Sequence, residues 1–325
     1  MFQSKVNRLG FVRRDGEAAS AVLVAALCTI AVCSQNAMAQ TASDIHESER
    51  SDKVTGGRIE GAEFDANEPD LKVTLNVPSF RLTLWQNGKE VKSYFVGVGL
   101  KDHPIYIGDR EATEIIWNPA WIPPASDWVR EIKGVSPGEI IKASDPRNPL
   151  GKLKIPLGDR YLIHQAAKRT DVGNLVSHGC VRMLRSDLFD LAEKIVAARS
   201  PEVPAKRIEA AKRSLRTLVV RLEEPVLVDI NYDTLVVEGG FLYIYPDVYD
   251  RRMNLPSRLR YELESSGVDV SNLDEASIRK MLSKVTRKTQ FVVDKRSIEQ
   301  GRTLEDGQVL PLIPIKKAIK GSKRK

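Results

Sequence analysis

Ser177-His178-Gly179-Cys180-Val181-Arg182-Met183 sets a cysteine two residues after a histidine, with a glycine between them and an arginine two residues on. Thirteen residues before Ser177 stands a second histidine, His164, closing the apolar strand-like run Tyr161-Leu162-Ile163. A cysteine with two imidazoles within reach is the residue set of nucleophilic thiol catalysis, in which a base or cation makes the thiolate available near neutral pH. Cys180 is the candidate nucleophile. His164, distant in sequence, can take its proton. His178 can orient the site or act as the base itself, since in a strand it would point to the same side as Cys180. The backbone N–H groups of Gly179 and Cys180 can hold an oxyanion. Arg182 can bind a substrate carboxylate or brace the loop. His164, His178 and Cys180 also make a possible zinc ligand set, but no carboxylate adjacent in sequence would support such a metal, so neither metal nor cofactor is expected.

The chain ends bear on the cysteine. Residues 1–39 read as a secretory signal: basic Lys5, Arg8, Arg13 and Arg14, the apolar run from Ala18 to Cys33, then Ala37-Met38-Ala39 as a cleavage site. The apolar run is shorter than the ~20 residues that span a bilayer, which argues against a retained anchor. Val32 before Cys33 argues against lipidation there. Of the three cysteines, Cys28 and Cys33 lie in this segment. The processed chain would keep one thiol in a compartment where disulfides persist, and such a leftover cysteine is reactive or bridges to another molecule.

The formal charge is +7, and removing residues 1–39, with four basic and two acidic residues, leaves +5. For an exported protein this suits an anionic wall or membrane surface, and no nucleic-acid recognition motif is visible. With 42% hydrophobic residues the chain can bury a proper core.

Residues 40–69 read as a flexible polar spacer. Leu71, Val73, Leu75 and Val77 alternate, Phe80, Leu82 and Leu84 follow, and Asn87-Gly88 supplies a tight turn before Val91–Val98, so the domain opens with a β-meander. Residues 103–128 read as irregular, because Pro119, Pro123 and Pro124 exclude a helix or a central strand there. Residues 145–157 read as turn-rich. A helix capped by Ser186 is expected to Ala198, with a charged helical stretch over 202–215. Strands return at Val226–Ile230, Thr234–Val237 and Phe241–Tyr245. An amphipathic helix over 274–285 and a strand at Phe291-Val292-Val293 precede a basic tail, 316–325. The expected division is a catalytic domain over 70–250 and an accessory region over 251–325.

The segment from Gly173 to Met183 with the upstream His164 resembles the L,D-transpeptidase (YkuD) catalytic domain family, in its Gram-negative periplasmic type. The likeness runs from about Leu71 to Ala198 and takes in Asn87-Gly88-Lys89, Asn118-Pro119-Ala120-Trp121-Ile122-Pro123-Pro124 and Asn148-Pro149-Leu150-Gly151. Tyr245-Pro246-Asp247-Val248-Tyr249 resembles the segment after the domain in Gram-negative members. The resemblance implies a mainly β, sandwich-like catalytic domain with a few helices, here with a small α+β C-terminal extension. It implies a thioester formed at Cys180 on peptidoglycan stem tetrapeptides, with His164 as general base and sensitivity to carbapenems. The acyl group would pass to an amine of a second stem, giving a 3-3 cross-link, or to a lipoprotein or outer-membrane protein. A hydrolase using the same site and a non-catalytic wall-binding protein are the alternatives. Two departures stand out. His164-Gln165-Ala166 replaces the usual His-Gly-Thr, putting Gln165 at the donor pocket as a substrate-binding candidate beside Ser177 and Arg182. His103-Pro104-Ile105-Tyr106-Ile107-Gly108 replaces the usual Thr-Pro-Thr-Gly turn.

Overall fold

A computed structural model describes residues 69–314. The signal segment, the spacer, Cys28, Cys33 and the basic tail lie outside the described residues.

Alternating apolar residues build the first strands, β1 (Leu71–Asn76), β2 (Arg81–Gln86) and β3 (Lys89–Gly99). Asn87 and Gly88 join the last two with φ of 50° and 71°, the paired left-handed conformation of a tight hairpin turn. Next come β4 (Gly108–Trp117), helix α1 (Asp127–Arg130), β5 (Leu153–Pro156), β6 (Leu162–Gln165), β7 (Leu175–Ser177) and β8 (Val181–Met183). Helices α2 (Arg185–Arg199) and α3 (Ala205–Arg213) lead to β9 (Leu218–Asn231). The strand order is β2-β1-β9-β4-β5-β6-β8-β3, and β3 also pairs with β2, so the sheet closes into a barrel with β7 added beside β3. Leu75, Leu82, Val96, Ile115, Trp117, Leu153, Ile163, Val181 and Met183 fill it, and α2 lays Leu188, Leu191 and Ile195 on the same core. The mainly β expectation therefore stands, with one sheet curling onto itself to make the facing layers.

Three local expectations change. β4 runs through the stretch expected to be irregular, since its ten residues end at Trp117, before Pro119. β5 occupies part of the turn-rich stretch, because Leu153, Ile155 and Leu157 alternate into the core. Ser186 lies inside α2 and makes no cap bond; Leu184 is the cap residue.

Residues 119–150 leave the barrel and form a flap with its own small core of Trp121, Val129, Val135, Ile141 and Leu150. Trp121 and Ile141 exchange backbone hydrogen bonds of 2.8 and 2.9 Å. The Asn148 amide donates to the carbonyls of Pro119, Ile141 and Lys142 and so ties the flap's two ends together.

A second sheet, β10 (Leu235–Glu238), β11 (Phe241–Ile244), β12 (Thr289–Asp294) and β13 (Gln308–Pro311), is covered by α4 (Pro256–Ser265), α5 (Glu275–Ser283), α6 (Lys295–Glu299) and α7 (Thr303–Asp306). Its core includes Leu242, Ile244, Leu259, Leu263, Ile278, Met281 and Phe291. This sheet takes strands from both sides of residue 250, so its core begins at Leu235 rather than after Asp250. Asp274 caps α5, accepting from the Ser277 N–H at 2.6 Å.

The segment 245–249 locks the back of the site. Asp247 accepts from the Tyr232 hydroxyl (2.7 Å) and from the Arg251 and Met253 N–H groups. The Tyr249 hydroxyl donates to Gly99 O and accepts from Ile105 N–H, which pins the loop that follows β3. Gly99 allows the fit, since a Cβ there would lie 2.3 Å from the His103 carbonyl oxygen and 3.0 Å from Gly179 Cα.

Phe291→Ala is expected to cost about 3–5 kcal/mol by emptying the centre of the second core. Urea unfolding followed by circular dichroism checks this, and a loss under about 1 kcal/mol would mean that the core recloses around the void.

Candidate active site

The parallel pair β6–β8 sets Ile163 against Val181 and His164 against Arg182. Ile163 and Val181 point into the barrel, so His164 and Arg182 point out of it, and Cys180, in the turn just before β8, lines the cleft on that outer side. The flap covers this outer wall. Between them lies a cleft of about 1190 Å³, lined by His164, His178, Cys180 and Arg182 from the barrel and by Trp121, Trp128 and Glu131 from the flap.

His164 is 4% exposed. Its Nδ1 lies 3.1 Å from the Gln165 carbonyl oxygen, and that acceptor assigns the ring proton to Nδ1 and leaves Nε2 free to accept. Burial pushes its pKa down to about 4, and the Arg182 guanidinium adds to the effect. The ring is therefore a neutral base at physiological pH. Cys180 is half-buried, and its thiol is pushed above the usual range by burial. The Leu162 backbone N–H and the Arg182 charge partly oppose that shift. Sγ lies 3.9 Å from the Arg160 carbonyl oxygen. A neutral imidazole and a protonated thiol lining one cleft suit proton transfer at the moment of attack better than a standing ion pair.

Residues 178–180 turn instead of continuing a strand, because β7 ends at Ser177 and Gly179 adopts φ of 105°. The expected strand alternation of His178 and Cys180 gives way for that reason. A Cβ at Gly179 would lie 2.8 Å from Tyr161 Cε1, so the turn needs glycine twice over. Among the described residues no acceptor pairs with the Gly179 or Cys180 N–H, which leaves both free to meet an oxyanion. His178 stacks on Trp128 (centroids 4.2 Å apart, planes at 6°) and leans on His103 at 4.8 Å. Burial and the neighbouring His103 lower its pKa. Its ring thus joins the flap to the loop after β3. Among the described residues no three His, Cys, Asp or Glu side chains converge to hold a metal ion.

Each of the three substrate-binding candidates has a partner within the protein. The Ser177 hydroxyl, in a residue 2% exposed, donates to Cys180 O at 2.5 Å and closes the turn. Gln165 is not among the residues lining the cleft: its amide oxygen accepts from Lys152 N–H at 3.1 Å, and its side chain packs on Gly151. Arg182 lines the cleft, but its Nη1 pairs with Asp171 at 3.3 Å. Asp171 also accepts from the Ala167 and Lys168 N–H groups, so Arg182 braces the loop after β6. Asp171, Trp128 and Lys154 belong to the site and were not singled out in the sequence. The alternation Leu153-Lys154-Ile155 was the available sign for Lys154, since it puts the lysine opposite the core face.

Residues 70–220 match the family model of the L,D-transpeptidase catalytic domain, YkuD. The probable L,D-transpeptidase YbiS of Escherichia coli (strain K12) is 30% identical over 122 residues, which cover 34% of this chain and 40% of that protein. Residues 70–220, somewhat under half of the chain, are thus similar to the L,D-transpeptidase catalytic domain, YkuD. The chain spans less than half the length of this curated relative. Among solved structures, the catalytic domain of the E. faecium L,D-transpeptidase aligns at 15% identity and a TM-score of 0.32, covering 50% of this chain and 99% of that one. The L,D-transpeptidase LdtMt1 in complex with imipenem aligns at 14% identity and a TM-score of 0.29, covering 50% of this chain and 59% of that one.

Two outcomes are expected. The neutral His164 favoured by burial makes the folded state bind fewer protons than the unfolded chain between the ordinary histidine value of 6.5 and about 4. Stability held above pH 6.5 should therefore be lost as pH falls toward 4, by on the order of 3 kcal/mol. Thermal melts across this range should show that component in the native protein and lack it in His164→Gln. Separately, Gly179→Ala should abolish alkylation-sensitive turnover by displacing the turn, and equal activity in the two proteins would contradict the free-donor geometry.

Proposed function

We propose that this is an exported cysteine L,D-transpeptidase acting on peptidoglycan stem peptides. The observation that carries the reading is the buried, neutral His164, its Nδ1 held by Gln165 O, lining the same cleft as Cys180 in a domain similar to this family. In the first half-reaction Cys180 Sγ attacks the carbonyl carbon before the terminal D-alanine, and His164 Nε2 takes the thiol proton. The C–S bond forms while the oxyanion rests on the Gly179 and Cys180 N–H groups. The C–N bond then breaks, and His164 returns the proton to the leaving amine. An amine from a second stem, or from a protein to be anchored, attacks the thioester and releases the thiol. A cleft of about 1190 Å³ leaves room for a donor and an acceptor chain together, which favours an amine acceptor over water. Residues 1–39 supply the export signal in this reading, and the periplasm is the compartment where stem peptides are met.

Intact-protein mass after incubation with a carbapenem, and separately with a disaccharide-tetrapeptide, tests the proposal. A drug-sized adduct that disappears in Cys180→Ala, together with dimeric muropeptides, is the expected result. His164→Ala should lower acylation by a factor on the order of 10²–10⁴, the usual contribution of a general base, and His178→Ala should lower it less. An adduct with shortened monomer alone would point to a hydrolase, and neither adduct nor product would point to a wall-binding protein.

A further inference from the structure

The barrel's outer wall carries a cross-strand row beneath the flap. Ile116 of β4 stands opposite Lys154 of β5, Lys154 opposite His164 of β6, and His164 opposite Arg182 of β8. Directly opposed residues share a sheet face, so the base sits between two cationic neighbours. The two cations are not in the same state. Arg182 has its counter-charge, the Asp171 carboxylate at 3.3 Å. Lys154 makes no hydrogen bond or ion pair among the described residues, and the Glu114 carboxylate offsets its burial only from beyond ion-pair range. Lys154 is nonetheless half-buried and lines the cleft.

A half-buried ammonium without a partner is costly, and such groups are normally paired or hydrogen-bonded. The other cations of the cleft lack this feature. Arg147 is held by Asp145 and Glu139, and Arg160 is exposed at the rim, where water screens it. What faces Lys154 from the cleft is open space next to the base.

We infer that Lys154 binds the terminal α-carboxylate of the peptide residue that the reaction expels. The inference rests on the peptide-acylation reading above and adds a specificity element to it. The leaving amine must reach His164 to collect the proton taken from Cys180. In an α-amino acid the carboxylate is two bonds from that amine, so a leaving residue seated at His164 carries its carboxylate toward the neighbouring strand position, which is Lys154. The contact neutralises the unpaired ammonium and selects the bond one residue from a free chain end. An internal peptide bond offers an amide at that place, and the ammonium would stay unpaired. Chemistry at Cys180 is unchanged: one C–N bond breaks, one C–S bond forms, and the single proton passes through His164.

The test compares two donors with the full-length protein: a disaccharide-tetrapeptide with a free C-terminal carboxylate and the same peptide as its C-terminal amide. Release of D-alanine or D-alaninamide is followed by mass spectrometry, giving kcat/KM for each. The native protein should favour the free acid by about tenfold or more, the value of one charged hydrogen bond. Lys154→Met, which keeps the aliphatic stem, should bring the ratio close to one, and Lys154→Arg should retain a preference for the acid. Circular dichroism melts confirm that the variants fold. A native protein that treats both donors alike, or a Lys154→Met variant that keeps the native ratio, overturns the carboxylate assignment and leaves the transpeptidase reading standing. A native protein that releases neither product overturns that reading and the assignment with it.

Discussion

The parallel pairing of residues 162–165 with 181–183 is the constraint on which the site depends. A parallel pair cannot be joined by a tight hairpin, so the fifteen or so residues between the two strands must loop out and return. The loop is stapled where it leaves, by Asp171 receiving the Ala167 and Lys168 N–H groups and Arg182. It is stapled again where it returns, by the Ser177 hydroxyl on Cys180 O. A shift of one residue in this register would send His164 into the barrel and Ile163 into the cleft. The apolar pair Ile163 and Val181, each 1% exposed or less, opposes that slip.

Burial then sets the chemistry. The flap brings its own core of Trp121, Val129 and Ile141, so it can cover the outer wall of the barrel without borrowing from the barrel's interior. Under that cover His164 is kept neutral and the Cys180 thiol keeps its proton. The two shifts point in opposite directions on the pH scale but have one cause, since low polarity penalises the imidazolium and the thiolate alike. The stacked Trp128, His178 and His103 rings couple the flap to the loop after β3. The Tyr249 hydroxyl holds that loop from behind. The second sheet's connecting segment, 245–249, thus reaches the loop that packs against the 178–180 turn. Ile313, just after β13, also packs on the loop between β6 and β8, where a Cβ on Gly173 would stand.

The sequence alone was sufficient for the opening meander and the mainly β class, and for singling out Cys180 and His164 as candidates that the fold brings to one cleft. Each of these rests on local chemistry: a Cys-His spacing, a period of two, and an Asn-Gly turn that tolerates positive φ at both positions. It was also sufficient to leave Arg182 with two possible roles, because an arginine's charge is local but its partner is not. What only the tertiary structure decided was which side chains meet across strands. Asp171 claims Arg182, Lys152 and Gly151 claim Gln165, and Lys154 comes beside His164, through pairings set by a closed sheet. The barrel's closure, the flap's separate core and the sharing of the second sheet across residue 250 have the same origin. They arise from contacts between residues far apart in the chain, where burial and register outweigh anything that a neighbouring residue encodes.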